Sequence, residues 1–210
     1  MTIDLRSPLT LANSLRFPLQ NADSRREIIT GGLWLLLVPG FGWLLNMGHR
    51  ICLVHNMHHG RPPWPAWNDR RELLRHGVYT LAGMVWYGWP GVSLLAFGAL
   101  THRRWAMVAG FALWAVAVVA IPGYMSHYCR EFDRREIFNP LRALSRVAQG
   151  GLAYWKAWAI VFVALPLSFL GLLAGGVGFA FTSVWFWQTA AFSFATVFTQ
   201  EFKLDRRRDD

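Results

Sequence analysis

The chain has 210 residues, of which 54% are hydrophobic and 16% are charged, and its formal net charge is +9. The length suits a single domain, and the charged share is well below the ~25% typical of soluble proteins. This composition argues against a disordered chain, a secreted disulfide scaffold and an ordinary soluble enzyme. A basic chain can indicate nucleic-acid binding. The positions of the basic residues decide between that function and a role at a membrane surface.

The N-terminal part combines a basic segment with an interrupted apolar stretch. Residues 1–27 are interpreted as a cytoplasmic amphipathic arm. The apolar stretch 28–54 is interrupted at Pro39 and carries Arg50. It is too short to cross a bilayer twice, because each crossing takes ~20 residues. We therefore predict either one Pro-kinked helix or a re-entrant hairpin.

Four later apolar runs are long enough to be transmembrane helices. All 12 carboxylates lie outside them. The sequence thus predicts an all-α fold, a polytopic integral membrane helix bundle in one domain with cytoplasmic interfacial helices. The four predicted helices are 78–100, 105–124, 155–175 and 178–199, followed by a charged tail at 201–210.

The basic residues predict an orientation, because Lys and Arg are enriched on the cytoplasmic side of membrane proteins. With a re-entrant N-terminal segment, 19 of the 21 basic residues fall on one side, and Arg103 and Arg104 on the other. A full crossing by 28–54 would change the split to 15 and 6. We expect a bacterial or archaeal cytoplasmic (inner) membrane, a cytoplasmic C-terminus, a cytoplasmic N-terminus in the first case, and no nucleic-acid partner.

Arginines beside the apolar runs suit anionic lipid head groups. The apolar positions between Leu141 and Leu152 suit a helix in the plane of the membrane interface. Bound lipid is therefore the expected ligand. The candidate head-group contacts are Arg16, Arg25, Arg26, Arg70, Arg71, Arg75, Arg142 and Arg146.

A threefold internal repeat is a further hypothesis. Segments beginning at Asn13, Asn68 and Asn139 each continue into an apolar run and meet a proline 22 to 27 residues later. The predicted helix kinks are Pro39, Pro90 and Pro166. A repeat would start each unit on the same side of the membrane, but chance similarity between membrane helix starts is the alternative.

The segment 61–77, with Pro62-Pro63-Trp64, Asn68-Asp69 and Leu73-Leu74 before Gly77, resembles a signature of the prokaryotic polytopic membrane family known as domain of unknown function 4013. The resemblance extends over about residues 28–202. It implies an integral membrane protein without an established activity, so it supplies no catalytic residues. The chain departs from the pattern in having Pro62-Pro63 where Leu-Pro is usual.

Histidines and cysteines near one predicted membrane boundary form a possible metal or haem site. Cys52, His55 and His59 have helical spacing, and His127 and Cys129 end another predicted helix on the same side. Both residue types ligate transition metals. The alternative is that the histidines lie at the membrane interface and the thiols are inert. This alternative is preferred, so no metal or cofactor is assigned.

The last apolar run carries a stripe of small polar side chains, which suits close helix packing. We interpret the stripe as an internal packing face or as a docking face for another membrane protein, with Trp185 beside it. Its members are Thr182, Thr189, Ser193, Thr196 and Gln200.

No phosphate-binding loop, nucleophile elbow, dinucleotide fingerprint or zinc-protease motif is present in the sequence. We therefore expect no enzymatic activity. The leading hypothesis is a non-catalytic membrane subunit that docks to a larger complex or to itself and binds anionic lipid. The alternatives are a channel, lipid or small-solute transporter, and a subunit that binds a metal, haem or pigment.

Overall fold

The computed structural model describes residues 5, 7–67, 69–202 and 204, and these residues contain no β-strand. Asn68, one of the three proposed repeat starts, and most of the predicted tail lie outside them. The seven α-helices in this part of the chain are α1 (Leu11–Arg16), α2 (Ala22–Leu37), α3 (Pro39–His58), α4 (Arg70–Leu100), α5 (Arg104–Glu131), α6 (Pro140–Phe169) and α7 (Val177–Phe202).

Six of these helices form three successive antiparallel hairpins: α2 with α3, α4 with α5, and α6 with α7. Each hairpin begins at a capped helix. Asn21 forms a capping box with Ser24, Asp69 accepts from two backbone N–H groups, and Asn139 accepts from Arg142 N. Asn13 lies inside α1, whose cap is Thr10. The order of hairpins is a property of the fold, while the residue-level repeat stays a prediction.

The interrupted apolar stretch forms a helical hairpin. Its two helices meet at Val38, and the Asn46 amide of α3 donates to the Gly31 carbonyl of α2 at 3.0 Å. Pro39 occupies the first turn of α3, so it starts a helix and does not kink one. Pro90 and Pro166 lie inside α4 and α6, and a kink at either residue stays a prediction.

The segment before α2 packs against α7. Phe17 stacks on Phe192 with ring centroids 4.4 Å apart, and the Trp185 indole donates to the Leu15 carbonyl at 3.1 Å. The Gln200 amide donates to the Leu5 carbonyl at 3.3 Å. The predicted arm is thus a folded part of the bundle.

Among the described residues, two helical segments are long and apolar enough to cross a membrane: Arg104–Glu131, and Pro140–Leu173, which joins α6 to a 3₁₀ turn. The other two predicted membrane runs lie within α4 and α7, which are helices but fall outside this group. The fold is therefore helical with two candidate membrane spans, and four spans are not established by it.

Helix α6 is divided at Gly151, whose backbone has φ +49° and ψ −138°. Leu141, near the start of the first part, is 81% exposed, and Leu152, just after the division, is 88% exposed. The amphipathic segment predicted between them is therefore set off from the apolar part of the same helix.

Candidate binding pocket

A cavity of about 420 Å³ lies between the α2–α3 hairpin and α7, with Met84 of α4 at its edge. We call it the Arg50 pocket. The residues from α3 recur on one helical face, and those from α7 recur at positions 180, 183, 184, 187 and 188. Its lining combines apolar side chains with four polar or ionisable ones besides Ser183: Asn46, His49, Arg50 and Gln188.

Arg50 supplies a positive charge to this pocket. Its guanidinium lies over the Trp187 ring, 4.8 Å from the centroid. Among described residues, no carboxylate forms an ion pair with it and no acceptor receives its N–H groups. Guanidinium groups pair well with phosphate and carboxylate anions, so the pocket can receive an anion.

Gln188 and Asn46 place unpaired amide atoms at the pocket. Gln188 is 1% exposed, and neither its Oε1 nor its Nε2 has a hydrogen-bond partner among the described residues. Asn46 donates to Gly31 and Gly42, but its Oδ1 is unpaired there. A buried amide without partners costs about 1–3 kcal/mol. These atoms can therefore bind a ligand that both donates and accepts.

A buried acid–imidazole pair lies beside the pocket at the base of the hairpin. His49 Nε2 and Glu27 Oε2 are 2.5 Å apart, and the Ala66 N–H donates to the same oxygen at 3.2 Å. The His49 ring also stacks on Trp67, with centroids 4.4 Å apart. The pair ties α2, α3 and the segment before α4 together.

The predicted metal ligands come near one another without forming a metal site in the part of the chain that the structure describes. The His55 ring bonds through Nδ1 to the Cys129 carbonyl at 2.9 Å and lies tilted against His59, with ring centroids 4.1 Å apart. His127 Nδ1 bonds to the Gly123 carbonyl, and Cys52 and Cys129 are free thiols. His55 and His127 thus bond to backbone carbonyls, and the preference for interfacial histidines over a metal site stays a prediction.

The polar stripe of α7 faces the inside of the protein. Thr189, Ser193 and Thr196 are buried, and the last two bond to carbonyls of their own helix. Thr182 donates to the Ser168 carbonyl of α6. Together with the bonds of Trp185 and Gln200 to the N-terminal segment, these contacts make the stripe an intramolecular packing face. A docking partner would have to use another surface.

The predicted head-group arginines are mostly on the surface. Arg16, Arg25, Arg26 and Arg71 are exposed, and so are three of the other four. Arg70 stacks over Trp34, Arg75 pairs with Glu72 at 3.2 Å, and Arg142 pairs with Glu136 at 2.9 Å. Arg146 is half-buried and also pairs with Glu136.

Glu136 joins the segment after α5 to the first turns of α6. Burial alone would raise the pKa of this carboxyl, but hydrogen bonding and charge from Arg146 and Arg142 outweigh burial and hold the pKa below its usual value. Together with Arg75, which pairs with Glu72, three of the eight arginines are thus partly neutralised within the chain.

Sequence reasoning missed the residues that build the pocket. Glu27 was assigned to the arm, although it is buried, and Gln188 and Asn46 carried no recognisable motif. The usable signal was Arg50, a charge inside an apolar stretch, because such residues commonly mark functional sites.

Comparison of the chain with protein-family models, curated proteins and solved structures finds no match. The resemblance to the domain of unknown function 4013 therefore stays a prediction, and the function is inferred from the geometry of the described residues.

Proposed function

We propose that this protein is a non-catalytic, multi-pass subunit of the cytoplasmic membrane that binds anionic lipid and docks to another membrane protein. The observation that carries the proposal is the exposure of large apolar side chains on the two candidate membrane helices. Val108 and Phe111 of α5 are 70% and 61% exposed, and Phe162 of α6 is 61% exposed. Contact between these apolar side chains and water is unfavourable, and the hydrocarbon of a bilayer would cover them.

The distribution of charge supports an orientation with the hairpin bases in the cytoplasm. The α4–α5 turn carries Arg103 and Arg104, while most other arginines flank the starts of α2, α4 and α6. Under this proposal the α2–α3 hairpin enters the membrane from the cytoplasmic side and returns to that side. The other two hairpins provide four membrane-spanning helices.

The orientation can be tested by labelling single cysteines in a cysteine-free background. Gln149→Cys, on the first part of α6, should react only from the cytoplasmic side, and Thr101→Cys, in the α4–α5 turn, only from the opposite side. Both residues are exposed. Labelling of both from one side, or recovery of the protein in the soluble fraction, would contradict the membrane proposal.

The proposed docking surface is the aromatic strip of α4 and α5. Trp86 and Trp89 are 51% and 56% exposed, and Trp114 of α5, whose backbone N lies 2.6 Å from the Cβ position of Gly91 of α4, is 42% exposed. Aromatic side chains are enriched at protein interfaces. The occupant we propose is another membrane-embedded subunit, because water-soluble partners would not reach this surface in a bilayer.

Docking can be tested by purification from native membranes in a mild detergent. A complex with another membrane protein should be recovered, and the double variant Trp86→Ala/Trp89→Ala should reduce its yield at least fivefold. The matched variant Val85→Ala/Val92→Ala, on exposed aliphatic residues of the same helix, should keep it. A lone monomer from the unaltered chain would refute docking.

A second candidate function, lipid handling, is favoured by the Arg50 pocket. It has a polar end, apolar walls and a size within the usual ~300–1,000 Å³ range of ligand pockets. Transfer of labelled lipid between the leaflets of liposomes would test it, and an unchanged rate relative to empty liposomes would argue against it.

A further inference from the structure

The Arg50 pocket is apolar at its opening and polar at its inner end. Leu36, Trp43 and Trp187 line it and are 40%, 38% and 41% exposed, whereas Gln188 is 1% exposed. An elongated ligand would therefore leave its apolar part toward the outside of the bundle and place its polar part inside.

The charge of the inner end favours an anion. Arg50 is the one lining side chain with a fixed charge in the described part of the protein. Glu27, on the neighbouring helix, already accepts from the Ala66 N–H and lies 2.5 Å from His49 Nε2. Among the described residues the guanidinium therefore has no carboxylate partner, and a phosphodiester or carboxylate would supply one.

The unpaired amide atoms of Gln188 and Asn46 further restrict the chemical class of the bound head group. Gln188 offers an unpaired acceptor and an unpaired donor, and Asn46 offers an unpaired acceptor. A carboxylate head group could accept from Gln188, but it has no hydrogen to donate to either amide oxygen. A head group with hydroxyl groups beside its anion can satisfy all three atoms.

We propose that the Arg50 pocket binds one anionic phospholipid whose head group carries hydroxyl groups, with its phosphate on Arg50, its hydroxyls on Gln188 and Asn46, and its chains leaving past Trp43 and Trp187. The proposal rests on the membrane location proposed above. It adds a single specific site to the general attraction between surface arginines and anionic lipid.

The test is a lipid titration of the full chain, purified and stripped of lipid, followed by native mass spectrometry. Dioleoyl phosphatidylglycerol should give one tight adduct at least tenfold stronger than that of dioleoyl phosphatidylcholine. The choline group has no hydroxyl for Gln188 or Asn46, and its positive charge weakens the attraction between the phosphate and Arg50. Oleate, which has the anion and a chain but no hydroxyl, should bind more weakly than phosphatidylglycerol.

Variants then locate the site. Arg50→Gln should weaken the tight adduct at least tenfold, and Gln188→Leu about fivefold. Ser183→Leu, which fills the pocket without removing a charge, should also weaken it and serves if Arg50→Gln does not fold. The matched controls are Arg104→Gln and Gln149→Leu, exposed residues away from the pocket, which should leave the tight adduct unchanged.

Equal binding of the two phospholipids, tighter binding of oleate, or full retention of the adduct by both Gln188→Leu and Ser183→Leu would each overturn the proposal. The first result, with a protein that still fractionates with membranes, would leave the proposed membrane role intact. Recovery of the protein in the soluble fraction would instead remove the membrane role on which the pocket proposal rests.

Discussion

In the α2–α3 hairpin polar side chains that border a pocket join the two helices, whereas the α4–α5 hairpin has its His76–Tyr128 hydrogen bond at its open end and packs through glycines towards its turn. Asn46 and the Glu27–His49 pair connect α3 to α2. In α4–α5, a Cβ atom at Gly91 would lie 2.6 Å from Trp114 N, and one at Gly110 would lie 2.7 Å from Leu95 N. One hairpin places buried polar groups beside a pocket, and the other brings two backbones together near its turn and exposes apolar side chains there.

The largest effect is expected from breaking the buried pair. Glu27→Ala would leave His49 and the Ala66 N–H without their acceptor, and we expect the free energy of unfolding to fall by about 3–5 kcal/mol. Denaturant titration in detergent would measure the change. Glu131→Ala is the control, because Glu131 is 50% exposed and 3.8 Å from Arg130, so its loss should cost at most about 1 kcal/mol. A Glu27→Ala effect as small as that of the control would refute a structural role for the pair.

The next effect tests close packing in the apolar hairpin. Gly110→Ala would force α4 and α5 apart and should destabilise the protein by about 1–3 kcal/mol. Gly88→Ala on α4 is the matched control, because no atom lies within 4 Å of its Cβ position and alanine favours a helix by up to about 1 kcal/mol. Thermal unfolding of both variants should show opposite shifts. Equal shifts would mean that glycine packing does not hold this hairpin together.

A smaller effect is expected where the N-terminal segment meets α7. Trp185→Phe keeps an aromatic ring but removes the indole N–H that donates to the Leu15 carbonyl, which should cost about 1 kcal/mol. Limited trypsin cleavage at Arg16 should become faster. Trp105→Phe, at a 62% exposed position in α5, should leave the cleavage rate unchanged. An unaltered rate in Trp185→Phe would show that this bond does not hold the segment.

The smallest effect concerns pH. Because the pKa of Glu136 is lowered in the folded protein, its ion pairs stabilise the fold above about pH 4.5, and this contribution is lost as the pH falls through the folded pKa. Glu136→Gln should remove about 0.5 kcal/mol at pH 7 and flatten the stability profile in this acidic range. A profile that keeps its slope would assign the acid sensitivity to other carboxylates.

The helix starts and the long apolar helices could be predicted from the sequence, because each is determined by residues close together in the chain. Asn139 before Pro140 marked the start of α6, and the apolar runs marked long helices, because capping and hydrophobic length are local properties. The pocket was not predictable in this way. Arg50 and Gln188 lie on helices far apart in the chain. They line the same pocket only because α7 packs against α2 and α3. Glu27 looked like a surface acid because its partner follows only after the hairpin turns back.

The contact between the N-terminal segment and α7 also sets an order of events during synthesis. Each hairpin closes through short turns, so its contacts are local and can form as soon as its own two helices exist. The bonds from Trp185 to Leu15 and from Gln200 to Leu5 span 170 and 195 residues. They cannot form until α7 has left the ribosome. The earliest of these residues to be made are therefore among the last to reach their final contacts.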